Sequence, residues 1–236
     1  MQHTERYLSK PIQVVYEDEG FMVFDKPAGL LVIPTDQEKD KTLVHIVNVQ
    51  YASSDKGWGL HPCHRLDRET SGAIIFAKGK KNQKTMMAAF HRQQVKKTYI
   101  AFVHGRLTRR QGELKGSLVD LDQRKYQRSP RPKFALTRYR VREEQSGFSV
   151  VEIEPVTGRT NQIRIQFSQI GHPLVGERKY AIARDYPLRF RRTALHAQSL
   201  SWVSPFTKKR ISVTVNLPED MEVFLARNGN QRSFPQ

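Results

Sequence analysis

The sequence has one cysteine, Cys63, so no disulfide can form within the chain. That is the usage of a reducing compartment, and a soluble, cytoplasmic protein is expected. No stretch approaches the roughly 18 consecutive apolar residues of a membrane-spanning helix. Met1-Gln2-His3-Thr4-Glu5-Arg6 has no apolar core of the secretory kind. Neither a basic amphipathic membrane helix nor a lipidation signal is read, so no membrane partner is expected. Neither Gly-x-Gly-x-x-Gly nor Gly-x-x-x-x-Gly-Lys-Ser/Thr occurs, so nucleotide cofactors are unsupported. Cysteine pairs are also missing, and His61-Pro62-Cys63-His64 alone lacks the four spaced ligands of a structural zinc site.

Acidic residues are scarce as well. Asp plus Glu number 23 against 40 Lys plus Arg, a formal charge of +17 over 236 residues. An excess of that size calls for a polyanionic partner, and nucleic acid is the commonest. Hydrophobic residues make up 38% of the chain, enough for a core. No repeat and no composition break marks a second globular region. One domain over 1–236 is expected, with a loose arm at 1–10 and a polar tail at 228–236.

Alternation and turn chemistry predict strands at 12–16 and 21–24 around the turn Glu17-Asp18-Glu19-Gly20. Lys26-Pro27-Ala28-Gly29 then breaks the chain. It either presents Lys26 to a phosphate or the active site, or is a tight turn with a solvated lysine. A short helix is expected over 42–51 with Thr42 near its start. Another is expected over 80–94, with Met86, Met87 and Phe90 inward and Lys80, Lys81, Lys84 and Arg92 outward. Residues 97–104 alternate with both faces apolar, as a strand covered on each side would.

Residues 106–142 hold 12 Lys or Arg against 3 acidic residues and read as an extended basic loop or hairpin gripping a phosphate backbone. Strands follow at 135–141 and 148–153. Ile163, Phe167 and Ile170 have helical spacing, with Thr160 as candidate N-cap and Gly171 as the stop. Residues 184–192 form a second basic cluster. Closing strands are expected at 194–203 and 210–217, and Pro218 opens a last helix.

The stretch His64-Arg65-Leu66-Asp67-Arg68-Glu69-Thr70-Ser71-Gly72 stands out. A lone carboxylate, Asp67, lies between two arginines at the entrance to the apolar run Ala73-Ile74-Ile75-Phe76-Ala77. Flanking guanidinium groups would hold it ionised. It is then a nucleophile, a general base or half of a salt bridge. Arg164 lies beside a buried helical stripe and wants a carboxylate partner. Tyr99, Tyr126, Phe134 and Tyr139, interleaved with basic residues, serve either to stack on bases or to pack the core.

These residues resemble the RluA-type pseudouridine synthases. The stretch 64–72 is similar to the family's signature, and other motifs follow in order. They are Asp18-Glu19 through Lys26-Pro27-Ala28-Gly29-Leu30; Lys97-Thr98-Tyr99-Ile100-Ala101 with Gly105; residues 157–164 with Gly171-His172-Pro173-Leu174-Val175-Gly176 and Tyr180; and Leu195-His196-Ala197. Three positions depart from the pattern. Asn161 and Gln166 stand where the family usually has His, and Asp25 where Asn is common.

The resemblance implies an α+β fold: a long twisted, mainly antiparallel sheet flanked by helices and loops around a catalytic cleft. It implies a compact member without an S4-like domain. The reaction would convert uridine in rRNA or tRNA to pseudouridine, with no cofactor and no metal. Asp67 would be the catalytic carboxylate and Arg164 its partner. Tyr99 would stack on the extruded uracil, Arg65 would enter the vacated stack, and Leu195 would pack against the base. Lys26 and residues 106–142 are candidates for RNA contact. A monomer is expected. A non-catalytic RNA-binding or assembly factor on the same fold and a base-excising glycosylase are the competing readings.

Overall fold

The computed structural model describes residues 10–36, 38–52, 57–119, 131–181 and 186–229. In chain order the elements are β1 (Val14–Glu17), β2 (Phe21–Lys26), α1 (Leu43–Tyr51), β3 (Leu60–Pro62), β4 (Ser71–Lys78), α2 (Lys80–His91), β5 (Lys96–His104), β6 (Gln111–Leu118), β7 (Lys133–Glu144), β8 (Phe148–Pro155), α3 (Gln162–Gln169), β9 (Leu195–Val203), β10 (Arg210–Thr214) and α4 (Glu219–Asn228). The class is α+β, as expected. The chain forms two compact units, residues 1–97 with 196–216 and residues 98–195 with 217–236.

In the first unit β2 pairs antiparallel with β1 and β4, and β3 with β4. Beside β4 lies β9, parallel to it at Ser71↔His196 and Gly72↔Ala197, and β10 pairs with β9. Side-chain alternation sorts the two faces. Phe21, Val23, Ala73, Ile75 and Ala77 point toward Met86 of α2. On the other face Phe24 meets Phe76 and Tyr51 of α1, each with ring centroids 5.4 Å apart. Phe21, Phe24 and Phe76 are fully buried, each contributing roughly 1.5–3 kcal/mol.

In the second unit β5, β8, β7 and β6 form an antiparallel run. The expected two-sided strand is realised. Ala101 and Val103 of β5 face Ile163 and Phe167 of α3, while Ile100 and Phe102 face Met221 and Phe224 of α4.

Several local expectations are corrected. Helix α2 stops at His91, because Gln93 takes a left-handed φ of 58°; Met87 is then 44% exposed and Met86 is the buried methionine. The N-cap position of α3 belongs to Asn161 (φ 53°), one residue beyond Thr160. Ile170 falls past the end of that helix and is 42% exposed. The basic region 106–142, by contrast, takes the hairpin alternative of its expectation, β6 against β7 from Gln111↔Arg140 to Leu118↔Lys133. Its tip, with Tyr126, lies outside the described residues, as do most of the N-terminal arm and the polar tail. Within the basic cluster at 184–192, Arg192 is buried and forks onto Asp220 at 2.7 and 2.9 Å.

Candidate active site

In the first unit the chain leaves β3 at Pro62 and re-enters the sheet at Ser71. The loop between is fastened at both ends. Near its start, His64 Nε2 accepts the Ile75 N–H (3.0 Å), and the ring lies against Phe90 with centroids 4.6 Å apart. Burial, with the Lys97 charge adding, pushes the His64 pKa down to about 3, so the ring is a neutral acceptor. Cys63 is buried and its thiol is pushed up to about 12 by that burial, which removes it as a nucleophile.

The far end is held by Lys26. The expectation that Lys26 contacts RNA is corrected: the side chain is fully buried and its ammonium donates to the carbonyls of Pro27 (2.8 Å), Leu30 (2.8 Å) and Arg68 (3.1 Å). The Gly29 N–H donates to the same Arg68 carbonyl at 2.8 Å. A buried ammonium needs acceptors, and here they fasten two loops together. Asp67 sits inside this frame, half-buried, and its carbonyl accepts the Thr70 N–H at 3.1 Å, closing a tight turn.

The two arginines beside Asp67 are placed differently. Arg68 pairs with Glu38 at 2.6 Å. Arg65 is exposed and has no ion-pair partner among the described residues.

The exit of the loop explains Ser71-Gly72. Ser71 Oγ and His196 Nδ1 share a hydrogen bond (3.0 Å), and His196 Nε2 faces the Val215 carbonyl (3.5 Å). Gly72 has φ 111°, and a Cβ there would lie 2.2 Å from the Ala197 carbonyl oxygen. Only glycine lets β9 approach so closely.

In the second unit Tyr99 is half-buried opposite Ile153. It packs on the cluster that includes Ala101, Ile163, Phe167 and Leu195. Leu195 is 4% exposed, and its carbonyl is held by Arg192 Nη1 at 3.2 Å. Arg164 lies on α3, the helix covering this cluster. Its Nε and Nη2 fork onto Glu177 at 2.6 and 2.9 Å, and its Nη1 donates to Asn161 Oδ1 at 2.9 Å.

Glu177 has no side-chain exposure and also accepts the N–H groups of Lys179 (2.8 Å) and Tyr180 (3.1 Å). Burial opposes its ionisation, but Arg164 and these backbone donors outweigh it and hold the carboxyl below its ordinary value. Asn161 Nδ2 reaches the Tyr180 hydroxyl (3.0 Å), and the guanidinium of Arg164 lies 5.2 Å over that ring.

Glu177 is the residue that sequence reasoning missed. Its one local signal is a carboxylate among Arg178 and Lys179 directly after Gly176. The departures Asn161 and Gln166 acquire physical roles. Asn161 orients Arg164. Gln166 accepts the Thr137 hydroxyl (2.6 Å) and donates to the Leu114 carbonyl (3.0 Å), fastening α3 to the β6–β7 hairpin.

A family model described as RNA pseudouridylate synthase matches residues 20–169. The ribosomal large subunit pseudouridine synthase D of Zymomonas mobilis is 31% identical over 226 residues, covering 90% of this chain and 71% of that protein. The dual-specificity RNA pseudouridine synthase RluA of Pasteurella multocida is 33% identical over 207 residues, covering 85% of this chain and 91% of that protein. Among solved structures, human RNA pseudouridylate synthase domain containing 4 has the same fold. Its TM-score is 0.74 at 24% identity, covering 91% of this chain and 92% of that one.

Proposed function

The chain belongs to the RNA pseudouridylate synthase family, an isomerase acting on RNA, and from that premise we propose that Asp67 is its catalytic carboxylate. What supports this choice is how the loop is held. Lys26 and His64 fasten the segment on either side of Asp67, so a half-buried carboxylate is presented by backbone that cannot drift. A surface salt bridge needs no such frame.

The reaction is a net rearrangement of uridine. The N1–C1′ bond breaks, the uracil turns, C5 bonds to C1′, C5 loses its proton, and N1 ends protonated. Asp67 acts as an anion in this sequence, attacking C1′, removing a sugar proton or adding to the base. Arg164 is the partner the family resemblance gives that carboxylate, and a guanidinium is the group that would favour its ionised form. Tyr99 stacks on the extruded uracil and assists loss of the C5 proton. Arg65, exposed on the loop, fills the stack the uridine leaves. Leu195 backs the base from the cluster beneath Tyr99. The work is that of one catalytic domain, acting in the cytoplasm as a monomer without metal or membrane.

The substrate we propose is ribosomal RNA, with transfer RNA as the alternative. The Zymomonas mobilis relative is named for the large ribosomal subunit, and the Pasteurella multocida relative is named dual-specificity. Mapping pseudouridine in total RNA with and without the gene tests the target: a site lost from ribosomal RNA is expected, and loss confined to transfer RNA overturns it. For the residue, Asp67→Ala should lower turnover by at least about 10³-fold while RNA binding persists. Retained turnover in that variant would contradict the assignment.

A further inference from the structure

Helix α2 carries its charge in an unusual way. Lys80, Lys81 and Lys84 fall in its first half and are exposed, and its twelve residues include no carboxylate. Cations at a helix N-terminus oppose the macrodipole, typically by 0.3–1 kcal/mol each at exposed positions. Arg92 follows at the other end, also exposed. Among the described residues none of these four side chains makes a hydrogen bond or ion pair. The polar groups turned inward behave differently: Gln83 Nε2 holds the Pro62 carbonyl (2.8 Å), and Asn82 Nδ2 the Lys78 carbonyl (2.9 Å).

The β6–β7 hairpin shows the reverse. Arg106 and Arg110 pair with Glu144 at 3.8 and 3.1 Å, and Lys115 and Arg138 pair with Glu113 at 2.6 and 3.0 Å. Arg142 pairs with Glu152. Five of the twelve cations counted in that region therefore have a carboxylate partner.

The placement of α2 gives its charge a direction. β4 leaves the Asp67 loop and α2 returns along it, so that Phe90, in the last turn, packs on His64 of the same loop. The cationic face thus runs about 18 Å from beside that loop, at Arg92, to Lys80. The apolar side of the helix is committed to the core through Met86, Ala89 and Phe90, which leaves no face to insert into a bilayer.

We propose that the exposed face of α2, through Lys80, Lys81, Lys84 and Arg92, is a phosphate track. It holds the sugar-phosphate backbone of the substrate RNA outward from the target uridine, without reading sequence. The proposal rests on the reading of the chain as an RNA-modifying enzyme, but its test measures binding and needs no turnover.

The probe is a fluorescently labelled single-stranded oligouridylate of about 20 nucleotides, with affinity followed from about 50 to 200 mM KCl. Lys80→Gln/Lys81→Gln/Lys84→Gln should flatten the slope of log affinity against log salt by about 2 and weaken binding about tenfold to a hundredfold. The same variant should melt no lower than wild type, because it relieves the dipole conflict. Arg110→Gln/Arg138→Gln/Arg142→Gln removes equal formal charge and should flatten the slope by less than about 1. Equal slopes for the two variants, or an unchanged slope for the α2 variant, overturn the track. So does retained oligouridylate binding together with lost binding to phosphatidylglycerol vesicles, which would assign the face to a membrane.

Discussion

Lys26, at the end of β2, and the lysines of α2 carry the same ammonium group in opposite settings. Lys26 is fully buried, and its three donor contacts fasten the loop beside Asp67 to the Lys-Pro-Ala-Gly turn. Lys80, Lys81 and Lys84 are exposed and touch no acceptor among the described residues. One region uses positive charge to build the site; the other holds it out toward a partner. The basic hairpin lies between these extremes, rich in arginine yet with several of its cations paired with glutamates of β6, β7 and β8. The net charge of +17 therefore predicts a polyanion but does not locate it. What each cation already touches is the better guide.

Four variants probe that contrast, in falling order of effect. Lys26→Ala leaves a cavity and three carbonyls without their donor. It should cost about 4 kcal/mol in chemical denaturation. Affinity of the folded fraction for oligouridylate should keep its salt slope, and a flattened slope would move Lys26 into the RNA-facing group.

Glu177→Gln keeps the shape but removes the charge that Arg164 forks onto. About 2–3 kcal/mol of stability should be lost. Turnover should fall more than binding does, which single-turnover kinetics would separate. An unchanged rate constant would mean that Arg164 needs no orientation by Glu177. The α2 triple variant comes next, with its effect on binding alone.

Asp25→Asn should be the mildest. Burial raises the Asp25 pKa to about 6, with Lys26 opposing. The folded state therefore holds a proton that the unfolded chain, with an ordinary value near 3.9, releases. Stability falls as pH rises from about 4 to about 6, and the penalty is complete above that. The variant should gain about 1 kcal/mol at pH 7 after allowance for solvent screening, and nothing at pH 4. Melting at the two pH values checks this, and an equal shift at both would reject the cause.

Much of the fold was legible because it depends on local periodicity. Strand β4, the two-sided β5 and the helix with Ile163 and Phe167 inward all follow from apolar spacing. What escaped depends on distant partners. Lys26 reads as a turn lysine, solvated or offered to a phosphate, until the Arg68 carbonyl, 42 residues on, is seen to receive it. Thr160 has the chemistry of an N-cap, but the left-handed Asn161 begins the helix and turns its side chain to Arg164 and Tyr180. Glu177 carries no motif signal of its own, and its role emerges only from the fork of Arg164. Of the candidate site, the motif residues could be named in advance. The groups that hold them could not, because buried hydrogen bonds join positions that composition and spacing do not relate.

The central claim is that Asp67 drives an isomerisation in which C5 of uridine loses its proton. RNA carrying tritium at C5 of uridine reads that step directly, as label released to water. Wild-type protein should release tritium in step with pseudouridine formed. Asp67→Asn should bind the same RNA with unchanged affinity and salt slope, and release none above background. Release by Asp67→Asn at the wild-type rate would contradict the account.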